Sequence, residues 1–139
     1  MKVLAGIAIL IGVCFVAWLA YPASNRVLTI TDFSGPTEMS VRAPIRPFGS
    51  GAMFVMYEGT IEADAKIEVR SNRRRDYQAI ELKKGKVNGI YGGAEEWVDD
   101  LAIVFRPSSS AGGQIKIGLY CGSGFSEADR EWYSNLARK

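Results

Sequence analysis

Three groups of residues in this chain could do chemistry: a basic cluster, an acidic cluster and two thiols. Arg73, Arg74 and Arg75 follow Ser71-Asn72 between two strand-like runs. Guanidinium groups at such a hairpin tip suit phosphate, anionic lipid headgroups, a polyanionic sugar or an acidic protein surface. Glu95, Glu96, Trp97, Val98, Asp99 and Asp100 set four carboxylates around one indole, in what reads as a loop before an apolar run. Carboxylates and loop carbonyls are the hard donors that calcium takes, but this spacing is not that of an EF-hand. Paired carboxylates for glycosidase-like chemistry are not identifiable from spacing alone. A solvated or partner-facing loop accounts for all six residues, so no metal or other cofactor is expected.

Nucleophilic catalysis meets a shortage of bases. Histidine is absent, which removes His-based triads, His proton shuttles and His-containing zinc sites. Cys14 and Cys121 are too few for a disulfide framework or a four-thiolate site. The serines show no Gly-x-Ser-x-Gly elbow, and Gly92-Gly93 and Gly112-Gly113 sit in no phosphate-cradling motif. The chain is therefore expected not to be an enzyme, with a small hydrolase as the third-ranked alternative.

Residues of this kind need a fold to hold them, and 139 residues allow one domain with an appendage. Lys plus Arg is 17 and Asp plus Glu is 15, too even a balance for a nucleic-acid coat, so no specific nucleic acid is expected. Residues 3–21 carry no charge. As a helix rising about 1.5 Å per residue they would extend roughly 28 Å, close to the hydrocarbon thickness of a bilayer. Lys2 precedes this run, and Trp18 and Tyr21 lie at its far end, where amphipathic rings favour the interface. Cleavage after Ala20 or Ala23 would leave Trp18 or Tyr21 at a position that takes small residues, and Val13 before Cys14 does not suit a lipoprotein site. Residues 1–23 are thus expected to be an uncleaved signal-anchor that meets the lipid bilayer through 3–21. The N-terminus would be cytoplasmic and residues 24–139 extracytoplasmic, periplasmic or extracellular. A cleaved signal peptide and a buried helix are the alternatives.

Residues 24–139 read as strands. Segments 26–33 and 37–43 are separated by Ser34-Gly35-Pro36, and Pro44 and Pro47 force an extended passage after them. Segment 52–57 is apolar throughout, as in a strand buried on both faces. From 61 to 70, Ile61, Ala63, Ala65, Ile67 and Val69 alternate with five charged residues, which predicts one strand with a core face and a wet face. Segments 77–83, 87–91, 101–106 and 114–122 complete seven or eight strands, with 108–113 as a Ser/Gly loop. Cys121 shares a face with Ile115, Ile117 and Leu119, so its thiol is expected in the core, the alternative being an exposed thiol that pairs between chains. Residues 126–138 predict a helix capped by Ser126, with Ala128, Trp132, Tyr133 and Leu136 as its apolar face. That helix is expected to lie on its own sandwich rather than on a partner or a membrane.

The fold class expected is mainly β: a single transmembrane helix, an antiparallel β-sandwich of jelly-roll type and a short C-terminal helix. The function expected is non-enzymatic: structural or assembly work by a membrane-anchored interaction domain, in a setting such as a cell envelope or a membrane-containing virion. The partner would be another protein or a second copy, with Arg73–Arg75 of one copy meeting the acidic cluster of the next. The alternative is a surface or periplasmic module for carbohydrate or another surface ligand, using Tyr91 and Trp97 in loops, with an anionic surface as a further partner.

Overall fold

Apolar and polar residues alternate with a period of two along several segments of residues 24–122, and those segments lie in strands. The computed structural model describes residues 11–12, 24–41, 51–71, 77–97, 100–122 and 127–139. Its strands are β1 (Ser24–Ile30), β2 (Thr37–Val41), β3 (Gly51–Ile61), β4 (Ala65–Ser71), β5 (Tyr77–Leu82), β6 (Gly85–Trp97), β7 (Leu101–Pro107) and β8 (Gly113–Gly122). One helix, α1 (Glu127–Ala137), follows them. The strands form two antiparallel sheets, ordered β1-β8-β3-β6 and β2-β7-β4-β5. The chain changes sheet at every connection except β4 to β5, which is the double Greek-key winding of a jelly roll.

This winding sends every connection to one of two ends. Ser24 pairs with Cys121, Ala52 with Gly122, Gly51 with Trp97, and both Val41 and Ser71 with Leu101. These residues mark the proximal end, where β1 begins. Ile30 pairs with Ile115, Ile61 with both Gly85 and Gly113, and Ala65 with Leu82, which marks the distal end.

The core lies between the sheets. Val55, Ile67, Phe105, Ile115, Ile117 and Leu119 are buried there, and the Phe33 ring meets the Phe105 ring edge-on with centroids 5.3 Å apart. Cys121 is in the same core. Burial pushes its thiol up to about 12, far from a reactive thiolate at neutral pH.

Two strand expectations need correction. The alternating run 61–70 is not one strand: Ile61 ends β3, residues 62–64 turn, and β4 begins at Ala65 in the other sheet. Ala65 is four positions after Ile61, an even step, so the alternation keeps its phase across the change of sheet. Ile61, Ala65, Ile67 and Val69 are all buried accordingly. The turn is tied down by Glu62 N–H donating to the Gly112 carbonyl at 3.0 Å and by Lys84 N–H donating to the Asp64 carboxylate at 2.9 Å. The segment 87–91 is likewise only part of a strand, since β6 runs for 13 residues. Its glycines hide it from propensity, and one of them is there for packing. A Cβ on Gly89 would stand 2.4 Å from the Tyr57 hydroxyl oxygen, because the Tyr57 ring lies across that position.

Residues 3–21, on which the anchor rests, lie outside the described residues apart from Ile11 and Gly12, which are helical and exposed. Among the described residues no helix is long and apolar enough to cross a membrane.

Candidate functional site

The outer face of the β1-β8-β3-β6 sheet is divided between helix α1 and an open groove. On its proximal half, β3, β6 and β8 turn Phe54, Met56, Ile90 and Tyr120 outward, and α1 covers them with Trp132, Tyr133 and Leu136. Met56 and Tyr120 are buried by this contact, so the apolar run at the start of β3 is covered on both faces there. Ala128 is exposed, so the apolar stripe of the helix starts one turn later than its sequence suggests. Gly118 makes the close approach possible: a Cβ there would lie 2.7 Å from the Trp132 ring and 2.6 Å from the Tyr120 ring. A side chain at this position would lift the helix off the sheet.

Polar contacts hold both ends of the helix. The Tyr120 hydroxyl donates to the Asp129 carboxylate at 3.1 Å, and burial, reinforced by that carboxylate, raises the phenol above its usual range. Toward the distal end, Trp132 Nε1 donates to Glu58 at 3.3 Å, and Lys139 pairs with the same carboxylate. Lys116 Nζ stands 4.1 Å from the centroid of the Trp132 ring, a cation–π contact. The hydrogen bond from Lys139 is the main reason the Glu58 carboxyl lies below its usual range; partial burial opposes it, and Trp132 and the Lys139 and Lys116 charges assist.

Beyond the helix the sheet face is open, forming a groove of about 510 Å3. Its floor is set by strand register. Thr29, Lys116, Glu58 and Asn88 are consecutive cross-strand neighbours on β1, β8, β3 and β6. At about 4.8 Å per strand this row spans roughly 14 Å. A second row, Gln114, Thr60 and Lys86, lies one step nearer the distal end, and Lys139 borders the groove where the helix stops. The lining offers hydroxyl, amide and ammonium groups held on rigid strands, together with one carboxylate. Such a set can bind a polar ligand by hydrogen bonds and charge.

The outer face of the other sheet holds a compact ion cluster. Glu68 is 4% exposed although its strand position faces outward. Lys66 Nζ, Arg70 Nη2 and Arg106 Nε reach its carboxylate at 2.8, 2.5 and 3.1 Å. The hydrogen bond from Lys66 foremost, with Arg106 and Arg70, holds the Glu68 carboxyl at about 2 against the effect of burial. The wet face expected for the 61–70 alternation is therefore only partly wet, because the three cations close over the central carboxylate.

The sequence-predicted site residues fall elsewhere. Arg73, Arg74, Arg75 and Asp99 lie outside the described residues. Glu95, Glu96 and Trp97 belong to β6 rather than to a loop, where the β3–β6 register slips between Gly51 and Met53. Asp100 is half-buried just ahead of β7. Tyr91, expected in a loop, is in β6 and packs against the core. The strand ends flanking both clusters meet at the proximal end, where Ser71 pairs with Leu101. The groove residues were missed because Thr29, Glu58, Asn88 and Lys116 are far apart in sequence and only the strand order makes them neighbours. Their shared signal is modest: each is polar at an outward position of its strand. Among the described residues no three carboxylate or thiol groups gather as a metal site.

No family model and no curated protein matches the sequence. Among solved structures, the chain is similar to the carbohydrate-binding module TmCBM61 in complex with β-1,4-galactotriose, at 10% identity over 73% of this chain and 83% of that one, with a TM-score of 0.46. A mutant of CBM29-2, a family 29 carbohydrate binding module, matches at 20% identity over 70% of each chain, with a TM-score of 0.38. The tobacco streak virus coat protein matches at 12% identity over 74% of this chain and 89% of that one, with a TM-score of 0.35. Likeness at this level assigns neither a ligand nor a partner.

Proposed function

We propose that this chain is a non-enzymatic binding protein, anchored in a membrane by residues 1–23, whose jelly roll offers the distal groove to a polyhydroxylated ligand of the carbohydrate class. One observation carries this: two adjacent rows of hydrogen-bonding side chains, supplied by four different strands, floor a groove of about 510 Å3. Side chains mounted on paired strands are already spaced before the ligand arrives, so little ordering entropy is lost on binding. Amides and hydroxyls both donate and accept, which suits the hydroxyl groups of a sugar.

The anchored reading fixes where the groove would lie relative to the membrane. Thr29 lies five residues along β1 from Ser24, roughly 17 Å at strand rise, so an anchor on residues 1–23 leaves the groove on the side away from the bilayer. The extracytoplasmic orientation expected from the sequence would then turn it toward the cell exterior or periplasm. Full-length protein is expected to stay with the membrane through alkaline carbonate and high-salt washing, and release by salt alone would count against the anchor.

The groove is tested by Asn88→Ala combined with Gln114→Ala. Each truncation removes a hydrogen-bonding group worth about 0.5–1.5 kcal/mol, so together they should weaken oligosaccharide binding about fivefold or more. Both residues are exposed, and each change should cost the fold under about 0.5 kcal/mol. Calorimetric titration of the full-length protein in non-ionic detergent reads the affinity, and unaltered binding by the double variant would remove the groove from consideration.

Assembly is the second reading, favoured by one observation. The strand ends that flank Arg73–Arg75 and the acidic cluster converge at the proximal end, beside residue 24. Copies anchored in one membrane plane would meet side by side at that level, where charges set register rather than affinity.

A further inference from the structure

We propose that the ligand of the distal groove is an acidic oligosaccharide whose carboxylates are separated by neutral sugar units, and that Lys86 is the residue that selects it. This rests on the carbohydrate reading above and narrows it. Three side-chain ammonium groups line the groove, those of Lys86, Lys116 and Lys139, against one side-chain carboxylate, that of Glu58. Lys139 is paired with Glu58, and Lys116 lies over the Trp132 ring. Lys86 is exposed, and no described carboxylate stands within ion-pair distance of it. Its register neighbour is Thr60, which in turn neighbours Gln114. An anion held at Lys86 would therefore find a hydroxyl and an amide in the same row.

The groove as a whole carries an excess of positive charge, so it favours an anionic ligand over a neutral one of equal shape. Glu58 limits how much negative charge it accepts. A polymer with a charge on every unit would bring one of them against that carboxylate in the adjacent row, a like-charge contact that opposes binding. A chain whose charges are spaced by neutral units can set one carboxylate on Lys86 and present hydroxyls to Glu58, Asn88 and Thr29. Lys86 is solvent-exposed, so its contribution is selective rather than large and falls as salt screens it.

The test uses the full-length chain in non-ionic detergent and a matched pair of probes. One is an oligosaccharide with one uronate per disaccharide; the other is the same oligosaccharide with its carboxyls reduced to hydroxymethyl groups. Wild-type protein should bind the uronate form about five- to tenfold more tightly than the reduced form at low salt, the range of a single charge-assisted contact. Lys86→Gln should erase that preference, and Lys86→Arg should retain it. Equal binding of both probes by the wild type overturns the proposal and leaves the carbohydrate reading standing. Binding of neither probe overturns both. Inorganic polyphosphate bound as tightly as the uronate would show a dense-anion site instead, and a preference that survives Lys86→Gln would assign selection to another residue.

Discussion

Phe105→Ala is expected to destabilise the jelly roll by about 3–5 kcal/mol, the largest single effect foreseen. The ring is 1% exposed between the sheets, so truncation removes its whole transfer free energy and leaves a cavity that two hydrogen-bonded sheets cannot close. Phe33 loses its edge-on partner as well, a contact worth about 0.5–1.5 kcal/mol beyond burial. Domains of this size hold only about 5–15 kcal/mol in total, so the loss is a large fraction of what keeps the chain folded. Ile67 lies beside Phe105 in register, and Ile67→Ala should cost about 2–4 kcal/mol by the same mechanism. Because the two side chains border one volume, the double variant should cost less than the sum. Lys66→Ala, one residue from Ile67 but facing outward, should cost about 1 kcal/mol or less, since its Glu68 contact is part-exposed. Denaturant unfolding followed by circular dichroism reads all four. A loss below about 1 kcal/mol at Phe105 would mean that the sheets do not meet where the register puts them.

Glu68→Gln is expected to cost about 1.5–3 kcal/mol at neutral pH, the range for hydrogen bonds to charged groups. The change keeps the shape and removes the charge that holds Lys66, Arg70 and Arg106 together, leaving three cations in mutual repulsion. The cost stays below that of a fully buried pair because the cationic side chains are 36–46% exposed. Its pH dependence identifies the source. The carboxyl sits at about 2 in the folded chain, against an ordinary value of 4.5, so the folded state binds its proton less tightly than the unfolded state. The stabilisation is complete above pH about 4.5 and disappears as pH falls toward about 2. The stability difference between wild type and the Glu68→Gln variant should therefore close across that window. A gap of constant size down to pH 2 would trace the loss to packing rather than charge.

Alternation along the chain was enough to identify most strands, because a strand with one face in a core sorts its residues by parity. Segments 26–33, 37–43, 77–83, 101–106 and 114–122 all overlap observed strands within a few residues. The same parity concealed the break after Ile61, since a turn of three residues preserves phase. β6 was shortened in the sequence reading because glycines carry no side chain to alternate, and Gly89 is needed under Tyr57 for a reason only packing reveals. The C-terminal helix was legible from its periodicity, and its apolar face does meet its own sheet through Trp132, Tyr133 and Leu136, while the expected cap, Ser126, lies outside the described residues.

Residue types by themselves determined that this is a β-rich domain with a helical tail, that Cys121 belongs to its core, and that histidine chemistry is absent. Each of these depends on neighbours within a few positions or on composition. The candidate site depends on neither. Thr29, Lys116, Glu58 and Asn88 form one row only because β8 lies between β1 and β3, and β6 beyond β3, an order that local sequence does not encode. Glu68 reads as one charge on a wet face until β7 brings Arg106 against it from 38 positions away. Strand order is settled by which faces can bury one another once all eight strands exist, and that is a property of the packed sandwich rather than of any segment.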